Sequence, residues 1–398
     1  MLTRLLPLAA ATFAVGTDSY VIAGLLPSIA ADLRVSTPAA GQLVTVFALT
    51  MALSAPVMGA LTSALNRRSA LLIALAVFVI GNVVTALGTS YGVVMVSRIV
   101  TAVGAGTITA AASSTAAAIA PPERRGRALA LVLGGLTLAT ALGLPLGTVI
   151  GRSDWHVTLW AVAGIGLLAA VGIAVGLPEV RLPAASLPDR LRPLGQGRVL
   201  ALLAVTSLAF LGAYTLYTYI GPALRDTTGG NESLLTLILL AWGVGVLAGN
   251  ITAGRLVDRH DSARVLTGAL ALAALALVLT PPAIRALAPT LVWAVVWGVA
   301  LGVVVVPQQH RLISLSPAAA PVLLGLNSSA LYIGIALGGG FGGLAQEWFG
   351  LAPAELGPAA AGVTAVALLW HLGTTRRTNA PDPAAPEPAT ADPQRSEA

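Results

Sequence analysis

Apolar residues in this chain come in runs separated by short breaks that carry Arg, Pro or Gly. Each run is close to the ~20 residues that a helix needs to cross a hydrocarbon layer. Twelve such runs are predicted, at 6–30, 42–65, 70–87, 93–119, 128–150, 159–177, 199–223, 234–253, 265–281, 289–306, 322–345 and 358–372. With no water to satisfy backbone groups inside lipid, a chain of this pattern spans as helices. The fold class expected is all-α integral membrane, with twelve transmembrane helices in two six-helix bundles. Residues 1–177 form the first half and 199–372 the second, joined by a Pro-, Arg- and Leu-rich linker at 178–198. The Pro-, Ala- and acid-rich tail, 373–398, has no apolar period and is expected to be disordered. The first run is too long for the core of a cleaved signal peptide, so it reads as an uncleaved span.

Composition supports this. Hydrophobic residues make up 56% of the 398 and charged residues only 10%, where a soluble domain carries about 25% charged. The formal charge of +6 comes from 22 arginines, with no lysine. These arginines sort by loop, which argues against nucleic acid as the reason for the charge. Arg34, Arg152, Arg225 and Arg285 fall on one side, Arg98 lies within a span, and the other 17 fall on the side of the termini. Basic loops stay in the cytoplasm, so both termini are expected there. The absence of cysteine excludes disulfides and thiol chemistry. His156, His260, His310 and His371 are not spaced as metal ligands, and no phosphate-binding Gly-x-x-x-x-Gly-Lys-Ser/Thr loop occurs. Neither an enzyme, nor a metal, nor an ATP-driven pump is expected.

Two charges stand inside spans. Asp18 sits mid-way along the first, and Arg98 lies in the fourth with Ala102, Gly106, Ala110 and Ser114 behind it at four-residue spacing. A carboxylate at the centre of a spanning helix costs at least roughly 2.5–3.5 kcal/mol on insertion scales, so such residues usually face a polar interior and serve a function. Arg98 shares a small-residue stripe and is expected to face the bundle; snorkelling to the surface is the structural alternative. The halves repeat at a constant offset of 195: Pro27 with Pro222, Gly59-x-Leu61 with Gly254-x-Leu256, and the stripe Gly135, Ala139, Gly143, Gly147 with Ala330, Gly334, Gly338, Gly342. Asp18 and Arg98 have Ala213 and Trp293 at the equivalent positions, so neither charge is repeated. Two parallel halves of six spans are a plan of secondary transporters.

Aromatic and polar groups point to a ligand cavity. Phe210, Tyr214 and Tyr217 recur at helical spacing in the seventh span, and Trp293 and Trp297 in the tenth; Tyr20, Asn327 and Tyr332 add polar groups. Aromatic walls with few hydrogen-bonding groups suit a bulky, partly apolar ligand. Lipid-facing aromatic belts are the alternative for any one of them.

Several stretches together resemble the major facilitator superfamily, in its twelve-span drug/proton antiporter group of chloramphenicol- and sugar-efflux proteins. They are Ala-Gly-Leu-Leu-Pro-Ser-Ile-Ala-Ala-Asp-Leu (23–33), Arg98 with Gly104 and Gly106, Pro-Glu-Arg-Arg-Gly-Arg-Ala (122–128), Gly-Gly-Leu-Thr-Leu-Ala-Thr-Ala-Leu-Gly-Leu-Pro-Leu-Gly-Thr (134–148) and Gly-Arg-Leu-Val-Asp-Arg (254–259). The resemblance assigns Gly143, Pro145 and Gly147 to the antiporter signature of the fifth span, although Leu144 here separates Gly143 from Pro145. It assigns Gly59, Arg67 and Arg68 to the gating loop after the second span. That loop departs from the family pattern: Ser63 and Ala64 replace its Asp-Arg, while Asp258 and Arg259 keep the pair in the second half. Efflux relatives often carry Glu where this chain has Ser19. Counted back from Pro27, Asp18 matches instead the first-span Asp of fourteen-span exporters, about 100° around the helix.

The resemblance implies a monomeric secondary transporter with no cofactor beyond the proton gradient. Its partners are a small substrate, protons and the bilayer of a bacterial cytoplasmic membrane, with no nucleic acid. Asp18 and Arg98 are then the proton-coupling pair, and Tyr20, Tyr214, Tyr217, Trp293, Trp297, Asn327 and Tyr332 the substrate contacts. The reading favoured is proton-coupled efflux of an apolar or aromatic compound, such as a phenicol. A sugar or metabolite exporter without proton coupling, and a transport-dead membrane sensor, remain open at this point.

Overall fold

The computed structural model describes residues 2–121, 124–181 and 186–379. Pro122 and Glu123, part of the linker and the tail from residue 380 onward lie outside the described residues. Twelve principal helices run in order: α1 (Leu2–Asp32), α2 (Thr37–Leu61), α3 (Arg67–Ala86), α4 (Tyr91–Ile119), α5 (Arg125–Ile150), α6 (Trp155–Gly176), α7 (Gly197–Tyr217), α8 (Glu232–Arg259), α9 (Ser262–Val278), α10 (Leu287–Leu315), α11 (Ala320–Phe349) and α12 (Leu356–Asn379). Eleven are long and apolar enough to cross a membrane, and α9, with 17 residues, is the shorter apolar helix among them. The protein is a multi-pass helical membrane protein.

Helix ends differ from the hydropathy pattern where caps decide them. Ser36 accepts from Ala39 N–H and starts α2 at Thr37, several residues before the apolar run. Asn66 does the same for α3, and Asn231 for α8. The seventh run does not continue to 223: α7 ends at Tyr217, and a separate turn follows at Ile220–Ala223 around Gly221 and Pro222. The Gly254–Arg259 motif forms the last turns of α8 rather than a loop. Pro307 lies inside α10, and α12 runs on past Gly373 to Asn379.

The packing repeats with the sequence. In the first half α1 packs on α5 and α6, α2 on α4, and α3 on α4 and α6; the second half has the same pairings six helices on. Between the halves α2 packs on α11 and α5 on α8, which exchange under the same two-fold relation. Small residues allow these approaches, as expected where lipid provides no hydrophobic drive between helices. A Cβ on Gly135 would meet the Ala9 carbonyl and Thr12 of α1; on Gly147 it would meet Val21 at 2.5 Å. In α11, Gly334 and Gly338 lie in the same way on the backbone of α7 at Ser207 and Leu211.

Proline acts less simply than as a bend. Residues Ala139–Gly143 form a π turn directly before Pro145, and Leu144 N–H bonds back to the Ala139 carbonyl. A proline in a regular helix leaves the carbonyl four residues earlier without its donor and crowds it. Widening the turn here relieves that crowding and presents Thr140 and Ala141 to α8, where Gly243 lies against the Thr140 carbonyl.

The glycine pair in α5 yields a test. Gly134 has no neighbour within 4 Å of an added Cβ, whereas Gly135 faces α1 backbone. Gly135→Val is expected to lower stability by about 1–3 kcal/mol through overpacking, and Gly134→Val to be tolerated. Thermal unfolding of the two variants in detergent checks the contrast.

Candidate functional site

Asp18 and Arg98 meet in the middle of the first half. Arg98 Nη1 donates to Asp18 Oδ1 at 2.7 Å, and both side chains are buried, at 1% and 0% exposure. Arg98 therefore does not snorkel. Its Nη2 also reaches the Asp18 carbonyl at 3.4 Å, and its guanidinium lies 4.1 Å from the centre of the Phe47 ring. A cation over an aromatic face in a desolvated site is attracted by the ring quadrupole. Asn82 of α3 stands beside the carboxyl, while Asp18 Oδ2 has no hydrogen bond of standard geometry.

Local sequence places each partner. Gly143 leaves room for Thr17, so α1 lies directly on α5 and turns Asp18 away from it, toward α4. Thr17 and Ser19 return their hydroxyls to the carbonyls of Phe13 and Val15, which satisfies them within the helix. Gly81 and Gly104 bring α3 against α4, and a Thr85–Ser97 hydroxyl contact of 2.7 Å leads up to Arg98.

The aromatic residues form a connected cluster on the far side of α1. Tyr20 lies about 200° around the helix from Asp18 and packs edge-on against Tyr217 at 6.4 Å. Tyr214 and Tyr217 are 5.0 Å apart, Tyr217 and Trp242 4.5 Å, and Trp242 and Trp297 5.8 Å. The hydroxyls of Tyr20 and Tyr214 are neighbours, and Tyr332 stands beside Ser19. Three buried donors in this cluster, Tyr217 Oη, Trp242 Nε1 and Trp297 Nε1, have no hydrogen-bond partner.

Trp293 extends this cluster, stacking on Trp297 at 5.2 Å, and its Nε1 donates to the Ala276 carbonyl of α9. The remaining expected residues lie apart from it. Asn327 is buried and accepts from Thr206 of α7 at 2.7 Å. Gly59 is covered by Arg190 of the linker, which donates to its carbonyl at 3.1 Å. Arg67 is buried, Arg68 donates to the Ala174 carbonyl at the end of α6, and Asp258 and Arg259 are exposed with no ion pair among the described residues.

Phe47, Asn82 and Trp242 were not expected from the sequence. Phe47 and Trp242 are separated by 195 residues, the repeat offset. One stacks on Arg98 and the other on the cluster that holds Trp293, the counterpart of Arg98. Applying the offset to the neighbours of the unrepeated charge was the signal available; for Asn82 there was none.

Two six-helix halves with the same internal pairings, the first enclosing a buried ion pair and an aromatic cluster joining it to the second, are the architecture of a membrane carrier. The sequence model of the Major Facilitator Superfamily matches residues 8–200 and 202–396, and the chain belongs to that family of transporters. It is 36% identical over 349 residues to the uncharacterized MFS-type transporter YbcL of Bacillus subtilis (strain 168), covering 87% of this chain and 89% of the relative. It is also 37% identical over 261 residues to the chloramphenicol resistance protein of Streptomyces lividans, covering 64% and 67%. The solved D-xylose-proton symporter shares the fold, with a TM-score of 0.75 at 18% identity over 94% of this chain and 97% of the symporter.

The pair can be tested as a pair. Removing one partner leaves an uncompensated buried charge and is expected to cost about 3–5 kcal/mol, while removing both costs much less. Arg98→Gln should therefore unfold at a lower temperature than the Asp18→Asn/Arg98→Gln double variant. A double variant at least as unstable as the single one would exclude an energetically coupled pair.

Proposed function

We propose that this protein is a proton-coupled exporter of a small apolar or aromatic compound, working by alternating access in a bacterial cytoplasmic membrane with both termini inside. The observation that carries this reading is the buried Asp18–Arg98 contact, a titratable carboxyl that accepts from Arg98 through Oδ1 while Oδ2, beside Asn82, has no hydrogen bond of standard geometry. Protonation at Oδ2 neutralises the acid and releases Arg98; loss of the proton restores the pair. An acid at this depth is costly and marks a functional position, and a change of charge during the cycle is the role this reading gives it.

Alternation needs the acid to sense the other half. α1 supplies that link, since it presents Asp18 to its own half and Tyr20 to the aromatic cluster of the second. The recorded cross-half contacts lie toward the face away from the termini. Thr148 and Thr236 hydroxyls meet at 3.1 Å, the Tyr219 ring, held in its own half by Oη donating to the Gly339 carbonyl at 2.8 Å, lies against Gly41, and a Cβ on Gly221 would lie 3.3 Å from Pro27. This arrangement supports a carrier closed on the outer side and ready to load from the cytoplasm. The aromatic substrate follows from the ring cluster, and the name of the Streptomyces relative agrees with it.

Two measurements test the reading. In inverted vesicles, Asp18→Asn is expected to abolish uptake of a phenicol driven by a pH gradient while leaving its binding in detergent intact. Retained pH-driven uptake would remove Asp18 from coupling. Trp242→Ala, which strips one wall of the cluster, is expected to weaken phenicol binding by up to about tenfold, the scale of one aromatic contact, and unchanged affinity would place the substrate elsewhere.

A further inference from the structure

A second concentration of ionisable groups lies far from Asp18, at the face of the second half that carries the end of α12. The starts of α7 and α9 and the ends of α10 and α12 enclose a cleft of about 1050 Å³. Arg198, Arg264, His310 and Arg311 line it together with one carboxylate, Asp261. That carboxylate is engaged in capping α9, where Asp261 Oδ1 accepts from the backbone N–H of Ala263 and Arg264 at 3.0 and 3.1 Å. It forms no ion pair among the described residues, so the cleft keeps its excess of positive charge.

Arg311 feels the charge of Asp261 across the cleft but forms no ion pair with it among the described residues, and its direct contacts are uncharged. It contacts Gln308 Oε1 at 3.4 Å, His371 Nδ1 at 2.8 Å and Thr374 Oγ1 at 3.3 Å, all neutral groups. His371 is fully buried, and its Nε2 lies 3.0 Å from both the Thr267 hydroxyl and the Ala263 carbonyl. A neutral imidazole with its proton on Nε2 satisfies both sides, donating to Ala263 and accepting from Arg311. The guanidinium is thus pre-oriented in a partly enclosed site, which is the arrangement for a phosphate or carboxylate.

The outer wall gives the occupant its second property. Val366, Leu369 and Trp370 of α12 line the cleft and are exposed at 52%, 67% and 50%. They belong to the apolar outer surface of a spanning helix, and Trp370 Nε1 is fastened to the Ala201 carbonyl at 3.0 Å, as an interfacial anchor would be. A cationic head site at the end of a span, continued by an apolar strip along it, has the shape and polarity of a phospholipid.

We propose that this cleft binds the phosphate headgroup of an anionic phospholipid, with the acyl chains lying along α12. Basic pockets between spanning helices recognise such headgroups by charge and geometry. A lipid seated here joins four helices of the second half at one end. Its occupancy is then able to bias the position of that half without entering the space between the halves.

The test compares thermal unfolding of the full-length protein in mixed micelles containing phosphatidylglycerol or phosphatidylcholine, with inorganic phosphate as a third arm. Phosphatidylglycerol is expected to raise the unfolding temperature saturably, and phosphatidylcholine and millimolar phosphate not to. Arg198 and Arg264 are exposed, and each Ala substitution is expected to weaken the phosphatidylglycerol effect about fivefold. An Arg124→Ala/Arg127→Ala control, on exposed arginines of the first half, is expected to leave the effect unchanged. Equal stabilisation by both lipids, an equal effect of free phosphate, or an equal loss in the control would each overturn the proposal. So would one further result. The chain beyond Asn379 carries Asp382, Glu387, Asp392 and Glu397 against Arg395, and if only its deletion alters stability, the cleft is a dock for the protein's own acidic tail.

Discussion

A single buried ion pair sets the terms for the first half of this transporter. Asp18 and Arg98 are both withdrawn from solvent, and neither is tolerable there without the other. Every nearby feature serves to hold them at contact distance: Phe47 under the guanidinium, Asn82 beside the carboxyl, and hydroxyls leading down α3 and α4. The pair is also the only one of its kind among the described residues, since the other recorded ion pairs are histidine contacts to Asp32 and Asp154 near the start of α6.

The position of that pair is set by backbone-to-backbone packing rather than by the charges themselves. Gly135, Gly143 and Gly147 let α1 lie directly on α5, and their counterparts in α11 seat α7 in the same way. The two halves therefore share a framework and differ in what it carries. In the first half it carries a charge pair; in the second, Trp293 and Trp242 stand where Arg98 and Phe47 stand, and rings replace ions. This division puts the charge pair and the aromatic cluster on opposite faces of α1, so a small rotation of one helix would alter both.

Most of the architecture was legible in the sequence because lipid leaves a chain few choices. Span-length apolar runs follow from the cost of exposing polar groups to hydrocarbon, and the 195-residue repeat reappears as the same helix pairings in the two halves. What the sequence left open was polar and local. Trp293 and Asn327 each have a hydrogen-bond partner within their own half, Ala276 and Thr206, which no spacing foretold. Spacing tells which side chains share a face, but not which acceptor waits on the neighbouring helix. Pro145 follows a widened turn at Ala139–Gly143, which spacing along the chain does not foretell.

Asp18 illustrates the boundary most clearly. The sequence alone determined that an unrepeated acid and an unrepeated arginine lie within spans, since composition and periodicity are enough to place a residue in lipid. Only the tertiary structure decided that the two charges touch, that Ser19 turns toward Tyr332, and that the acid points into its own half. Those outcomes depend on how α1 is rotated against α5 and α4. That rotation is the product of glycine contacts more than a hundred residues apart, which no local pattern encodes.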